Sequence, residues 1–403
     1  MKRVCVIGGG PAGIMAAYAA ATAGKSTDLY ERNEKLGKKL YLTGKGRCNI
    51  TNAAPIEDFF DNVVSNGVFL YSALYTFDNA ELLDMLKKFG LETKVERGGR
   101  VFPVSDKSSD VIKALSKVVA STGVNVHFGS KVQGLIIKDK RVAGIKLDGQ
   151  ELSYDSVIVA TGGLSYPSTG STGDGYFFAR QAGHTIIEPA ASLVGVDTEE
   201  DVRSLAGLTL KNVSLTLTDG GKPVFKELGE LLFTHTGISG PLVLSASAYM
   251  QDSRQYKLII DLKPALDDKT LDARLLKDLR EKSNKNFDNV LSGLLPAKLI
   301  SYFAGVTGIS PDKKAHSITK EERLKLARAL KGLELGVKAK RPIEEAVITR
   351  GGVSVKEIDS STMQSKLCGG LYFAGEVIDV DALTGGYNLQ ISFSTGYLAG
   401  KSC

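Results

Sequence analysis

The chain is poor in the residues that build metal centres and disulfide frameworks. Its 403 residues include four cysteines and four histidines. Cys5, Cys48, Cys368 and Cys403 form no CxxC pair and keep no metal-ligand spacing. A dithiol redox centre and a disulfide scaffold are thereby set aside, no metal is expected, and a reducing, cytoplasmic setting is. Long apolar runs are missing too. Nothing approaches about 18 uninterrupted apolar residues, the length a membrane span requires. The start, "MKRVCVIGGGPAGIMAAYAAATAG", imitates a signal peptide, but three glycines and a proline break its apolar run. A Walker phosphate loop is absent as well. In "KLYLTGKGRCNITN", Gly46 stands where a serine or threonine must hold magnesium, and Lys39 stands where the leading glycine belongs.

Glycine, by contrast, is abundant, with 44 copies gathered in short motifs where backbone meets ligand closely. Hydrophobic content of 43% and charged content of 24% are those of an ordinary soluble globular protein, and the length predicts two or three domains. The net charge of +6 is mild. Much of the excess lies between Lys313 and Arg341, where Glu321 and Glu322 interleave with the cations. That pattern reads as a solvated helix face before it reads as a nucleic-acid surface.

"KRVCVIGGGPAGIMAAYAAATAGKSTDLYER" reads as strand, tight turn, helix and strand. Gly8, Gly10 and Gly13 supply Gly-x-Gly-x-x-Gly around Ala12: the first permits the turn, the second admits a pyrophosphate, the third packs helix on strand. The N–H groups of the helix that opens near Pro11 point at the phosphates. Glu31, eighteen residues beyond Gly13, ends the second strand, where a carboxylate accepts hydrogen bonds from an adenosine ribose. The loop that follows is basic and glycine-broken. Arg32, Lys39 and Arg47 suit a diphosphate, while Gly44, Cys48 and Asn49 line the loop, with amides for the polar edge of a ring. Such a loop suits a long, permanently held cofactor, FAD.

The rest of the expected cofactor site is scattered. Val132 falls where adenine is sandwiched, although a plain core valine describes it equally well. The buried strand of "SVIVATGG" delivers Thr161 and Gly162. Asp174 is placed to cap the helix "GYFFARQAG". No second GxGxxG lies between a strand and a helix, so a dedicated nicotinamide domain is missing and NAD(P)H is expected only as a transient electron donor. Near the C-terminus, "GGLYFAGEVIDVDALTGGYNLQISFSTGYLAG" reads as a strand, Gly375, an acidic loop, then Gly385-Gly386 opening a helix from about Asn388. Glu376 or Asp379 can accept from ribityl hydroxyls. Asn388, Leu389 and Gln390, behind Gly386, would aim the helix N-terminus at the flavin.

"VIGGGPAGIMAA", "GKGRCNITN", "ATGGLSYPSTGSTGDGY", "ELLFTHTGISGP" and "AGEVIDVDALTGGYNLQISFSTG" together resemble the three-domain bacterial flavoprotein family, whose members include aminoacetone oxidases and bile-acid reductases acting on conjugated 3-oxo steroids. "ATGG…TGSTGDG" is also similar to fumarate reductases and ketosteroid dehydrogenases. The resemblance implies non-covalent FAD. It also implies an α/β fold with a discontinuous Rossmann-like FAD-binding domain, residues 1–190 plus 345–403. Into it a β-rich substrate domain, 191–269 plus 332–344, and a helical insert, 270–331, would be inserted, with Thr319 and Glu322 as a capping box.

The catalytic candidates are few. His235, in "LLFTHTGISGP", is a proton donor or a holder of a carbonyl oxygen, and Tyr387 is a second donor. A histidine that merely satisfies loop carbonyls describes His235 as well, and His127 and His184 read as structural. The expected activity is an FAD-dependent oxidoreductase using NAD(P)H to reduce a C=C conjugated to a ketone in a small molecule. The alternatives are a flavin amine oxidase of the aminoacetone type, with oxygen as acceptor, and an RNA-associated flavoprotein.

Overall fold

Five short strands, four of them buried along nearly their whole length, begin the fold. In this computed structural model, which describes residues 1–403, they lie side by side in the order Leu371–Phe373, Ser156–Val159, Arg3–Ile7, Ser26–Tyr30, Asn125–His127. All four pairings are parallel; Val6 faces Ile158 on one side and Leu29 on the other. Val4, Val6, Leu29, Ile158 and Phe373 are fully buried. Removal of each such side chain from water stabilises the fold by about 1.5–3 kcal/mol. Continuous apolar runs of this kind mark a parallel sheet covered on both faces.

The order reverses at the Arg3–Ile7 strand. The chain first moves outward through Ser26–Tyr30 and Asn125–His127, then returns to place Ser156–Val159 on the other side. Such a switch point opens a crevice beyond the carboxyl ends of the two strands, where parallel α/β sheets bind ligands. The residues that leave those ends are Gly8 to Gly13 and Ala160 to Gly162.

The chain divides into two compact units, Met1–Ser192 with Pro342–Cys403, and Leu193–Arg341. Each has its own apolar cluster. The first unit adds the antiparallel strands Gly134–Lys138, Arg141–Leu147 and Gln150–Ser153 to the parallel sheet. Val132 lies just ahead of the first of these, buried in the core, rather than within a strand. Helix Pro11–Thr22 packs against the C-terminal helix Tyr387–Ser402, and alanines and glycines line the contact.

In the second unit, six strands close into a barrel: Val196–Thr198, Gly237–Ser239, Lys222–Phe233, Thr209–Asp219, Tyr256–Asp261 and Leu333–Lys340. The long hairpin turns at Gly220 and Gly221, both at positive φ. Helices Asp268–Glu281, Phe287–Leu291, Ala297–Thr307 and Lys320–Lys331 share the barrel's apolar cluster through Leu271, Leu291, Phe303 and Leu330. Thr319 and Glu322 form both halves of the capping box.

Two local expectations change. Gly173, at φ +81°, caps the Asp174–Gln181 helix, and Asp174 is its first residue, turned instead to Arg32. The C-terminal helix starts at Tyr387, one residue early, because Gly386 at φ +103° ends the preceding loop.

Candidate functional site

The glycine turn shows which of its members serve the fold and which leave room. Gly8 sits at φ +105°, and a Cβ there would lie 2.5 Å from the Ala160 carbonyl oxygen. A Cβ on Gly13 would meet the Gly8 oxygen at 1.7 Å. Both are therefore required by packing alone. Gly10 differs: its Cβ would meet nothing within 4 Å. Open space beside Gly10 faces the start of a twelve-residue helix whose first N–H groups have no intrahelical partner. That is the combination an anion needs.

Glu31 holds this turn from the neighbouring strand. Its Oε2 accepts from the Gly9 N–H at 2.7 Å, and its Oε1 accepts from Asn33 N and Nδ2, each at 2.7 Å. An ionised carboxylate has about four acceptor sites, so one near Oε2 remains for a sugar hydroxyl.

The three cations expected at a diphosphate are already paired. Arg32 donates to Thr172 and to Asp174, 3.1 Å away. Lys39 Nζ lies 2.7 Å from Glu376 Oε2 and 2.5 Å from Ser165 Oγ. Arg47 pairs with Glu96 and Asp106 and lies over the Phe102 ring, 4.0 Å from its centroid. Gly44, Lys45 and Cys48 all adopt positive φ, so the loop is tightly coiled. The Cys48 thiol is buried, and burial pushes it up to about 11 despite a hydrogen bond involving Thr43; it is not a thiolate.

Glu376 is bonded as heavily as Glu31. Its Oε1 accepts from Thr349 N and Ser165 Oγ, both at 2.8 Å. Burial raises its pKa, but Lys39 and these hydrogen bonds outweigh that and hold it below the ordinary carboxylate range. Asp379 runs the other way: burial raises it, although Asn66 Nδ2 donates to it at 3.0 Å. Ser165, Thr349 and Asn66 escaped sequence reasoning. The hydroxyl-rich "LSYPSTG" pointed weakly to Ser165; nothing local marked the other two.

The C-terminal helix is locked onto the basic loop. A Cβ on Gly386 would fall 2.3 Å from the Thr51 backbone, and Asn52 Nδ2 donates to the Gly385 oxygen at 3.1 Å. Gln390, fully buried, accepts from Thr51 Oγ1 at 2.7 Å and donates to the Phe77 oxygen and to Ser394. Asn388 accepts from Ala382 N and donates to the oxygens of Ala382 and Leu383. Their side chains thus position the start of the helix. Leu389 packs on the core, and Tyr387 sets its ring edge-on to Phe59, centroids 5.0 Å apart. Gly375, at φ +75°, would press a Cβ 2.7 Å from the Ala12 methyl.

Four segments far apart in sequence are therefore in one place: the glycine turn, Ala160–Gly162, Gly375-Glu376 and the C-terminal helix start. Asn49 Oδ1, in the basic loop beside Gly44, is buried with no hydrogen-bond partner; Thr161 Oγ1 is too, but packs towards Gly175. An unsatisfied buried acceptor is costly, and a cofactor with hydroxyl and ring N–H donors would supply what Asn49 lacks, as the open cradle at Gly10 would take its phosphate. The residues present fit FAD. His235 is elsewhere in the chain, exposed in the second unit at the turn joining Lys222–Phe233 to Gly237–Ser239. No group of three or more His, Cys, Asp or Glu side chains gathers to hold a metal, and no helix is long and apolar enough to cross a membrane.

Residues 2–402 match the family model described as HI0933-like protein Rossmann domain. The chain belongs to this family. A 3-dehydro-bile acid delta(4,6)-reductase of Clostridium scindens is 31% identical over 100% of this chain and 99% of its own. A ribosomal RNA dihydrouridine synthase of Haemophilus influenzae is also 31% identical, over 98% and 97%. Among solved structures, the 3-ketosteroid delta1-dehydrogenase of Sterolibacterium denitrificans shares the fold across 99% of both chains, with a TM-score of 0.52 and 11% identity. This HI0933-like protein is an FAD-dependent oxidoreductase.

Proposed function

We propose that the protein reduces a carbon–carbon double bond conjugated to a carbonyl, with NAD(P)H as the electron source. The observation that carries this reading is the pair of equally similar full-length relatives. One is named for saturating the 4,6 double bonds of a 3-oxo bile acid. The other is named for making dihydrouridine, in which the uracil double bond beside a carbonyl is saturated. Substrates that share nothing else share that alkene. The favoured substrate is a 3-oxo-4-ene steroid or bile acid; the second relative favours a uridine of RNA as the other reading.

Bound FAD supplies hydride transfer to and from such a bond. The chain's own residues supply the setting. The helix start behind Gly386 would stabilise negative charge on the bound cofactor, by about 1–2 kcal/mol. Glu376, kept ionised by Lys39, accepts hydroxyl hydrogen bonds. Gly10 and the helix behind it would cradle the phosphates, and Glu31 would hold the ribose. Tyr387 and His235 are the two candidates for the proton that completes the reduction.

Anaerobic mixing tests the reading. NADH or NADPH is expected to bleach the yellow protein, and a 3-oxo-4-ene steroid or uridine-containing RNA to restore the colour, the faster of the two naming the substrate. Bleaching by aminoacetone alone, with recovery in air, would overturn the proposal in favour of an amine oxidase. Tyr387→Phe and His235→Asn then separate the proton donors: the true one loses the alkaline limb of its pH–rate profile.

A further inference from the structure

Between Arg47 and Lys87 the chain carries no lysine or arginine, although its net charge is +6. The same stretch holds Glu57, Asp58, Asp61, Asp78, Glu81 and Asp84. In its middle stands a ladder of aromatic rings on the surface. Tyr71 stacks on Phe60 with centroids 4.2 Å apart and planes 15° from parallel, and Tyr75 lies beside both rings, 6.0 Å from Tyr71 and 6.2 Å from Phe60. Tyr71 is 48% exposed, Tyr75 53%, and Val68, just before them, 83%. Single exposed apolar residues are ordinary; a stacked group beside an exposed valine marks a contact surface.

The ladder is fixed in place. Tyr71 and Tyr75 are four residues apart on the short helix Tyr71–Thr76, hence on one face, and Ala73 and Leu74 bury the opposite side. Glu57 sits at the end of the stack, its Oε1 3.4 Å from the Tyr75 hydroxyl. Ring faces are electronegative and the rim is anionic, so both features select the same ligand charge.

We propose that this ladder is a docking surface for an arginine- or lysine-rich segment of another polypeptide. Guanidinium groups stack on Phe60, Tyr71 and Tyr75 and pair with Glu57 and Asp61, while Val68 covers the aliphatic stems. Arginine is preferred, because its planar group stacks and pairs at once. Nucleic acid is disfavoured, since the carboxylates repel its phosphates. The proposal stands apart from the redox chemistry.

The chain has no tryptophan, so Tyr71→Trp in the holoprotein places a single indole reporter on the ladder. Titration with an oligo-arginine peptide is expected to give a saturating emission change that weakens with added salt and with Glu57→Gln or Asp61→Asn. A labelled copy of the peptide, followed by anisotropy, reads the native rings directly. Tyr71→Ala with Tyr75→Ala is expected to weaken its binding roughly tenfold. Equal binding by this double variant would overturn the proposal, as would an indole response absent with the peptide or equally large with oligo-glutamate or a uridine-rich RNA. A dimer lost in the double variant would also overturn it, assigning the face to a second copy of the chain.

Discussion

Two glycines three residues apart carry opposite expectations. A methyl on Gly13 collides with the Gly8 carbonyl oxygen at 1.7 Å, and backbone cannot yield as a side chain can. Gly13→Ala should therefore lose about 3 kcal/mol or more of stability and purify poorly. A methyl on Gly10 meets only open space, at a φ of −80° that alanine adopts freely. The Gly10→Ala apoprotein should melt within the error of the parent, yet bind FAD at least about tenfold more weakly, a loss of 1.4 kcal/mol. A colourless but stable protein is the expected phenotype, and retention of tight FAD would remove the phosphate role from this turn. His184 offers a pH test of the fold. Its side chain is wholly enclosed, with Nε2 2.7 Å from Ser365 Oγ. Burial lowers its pKa, and the nearby Glu357 offsets only part of that. The unfolded chain then binds the extra proton first, so the contribution is complete above about pH 6.5 and shrinks as pH falls below it. Urea midpoints taken between about pH 7 and 5 should decline, and His184→Gln should flatten that decline. The glycines and Glu31 were legible in the sequence because their spacing is local. The pairing of Lys39 with Glu376, 337 positions apart, was not, since periodicity is silent about contacts made through the fold.

At the scale of elements, the helices that open behind Gly10 and Gly386 meet backbone to backbone. A Cβ on Gly396 would lie 2.1 Å from the Ala12 oxygen, and one on Gly400 2.1 Å from the Ala16 oxygen. The contact seats the first turn of one helix, behind Gly10, and through it the start of the other, behind Gly386. Gly400→Leu should push the helices apart, cost about 1–3 kcal/mol, and shift the flavin midpoint potential by misaiming the C-terminal helix. A destabilised variant with an unchanged potential would show that the helix start is held by Thr51 and Asn52 alone. Strands and the Thr319 box were readable because alternation and a cap signature are each encoded within a few residues. The cap of the Asp174 helix misled: a glycine at positive φ took the capping position, and Arg32, 142 residues away, took the carboxylate. Barrel closure was likewise invisible, because it depends on Val196–Thr198 bridging Gly237–Ser239 and Leu333–Lys340.

For the whole molecule, the division of labour follows from where the apolar clusters lie. Every residue expected to touch FAD falls within Met1–Ser192 and Pro342–Cys403, the unit built on the parallel sheet. The barrel and its helices, Leu193–Arg341, hold a separate cluster and contribute His235 but no cofactor residue. A ligand that binds only the native form of one unit raises the stability of that unit alone, by about 2.7 kcal/mol when present at a hundred times its Kd. Calorimetry of apoprotein titrated with FAD should therefore move the transition that carries the parallel sheet. The endotherm of the barrel, identified by hydrogen exchange of its Thr209–Phe233 hairpin amides, should stay where it was. In Gly10→Ala the FAD-dependent shift should shrink by about 1.4 kcal/mol or more while both endotherms persist. If FAD instead protected the hairpin amides as strongly as those of Val4–Ile7, the barrel would hold part of the cofactor, and a binding site confined to the sheet unit would be refuted.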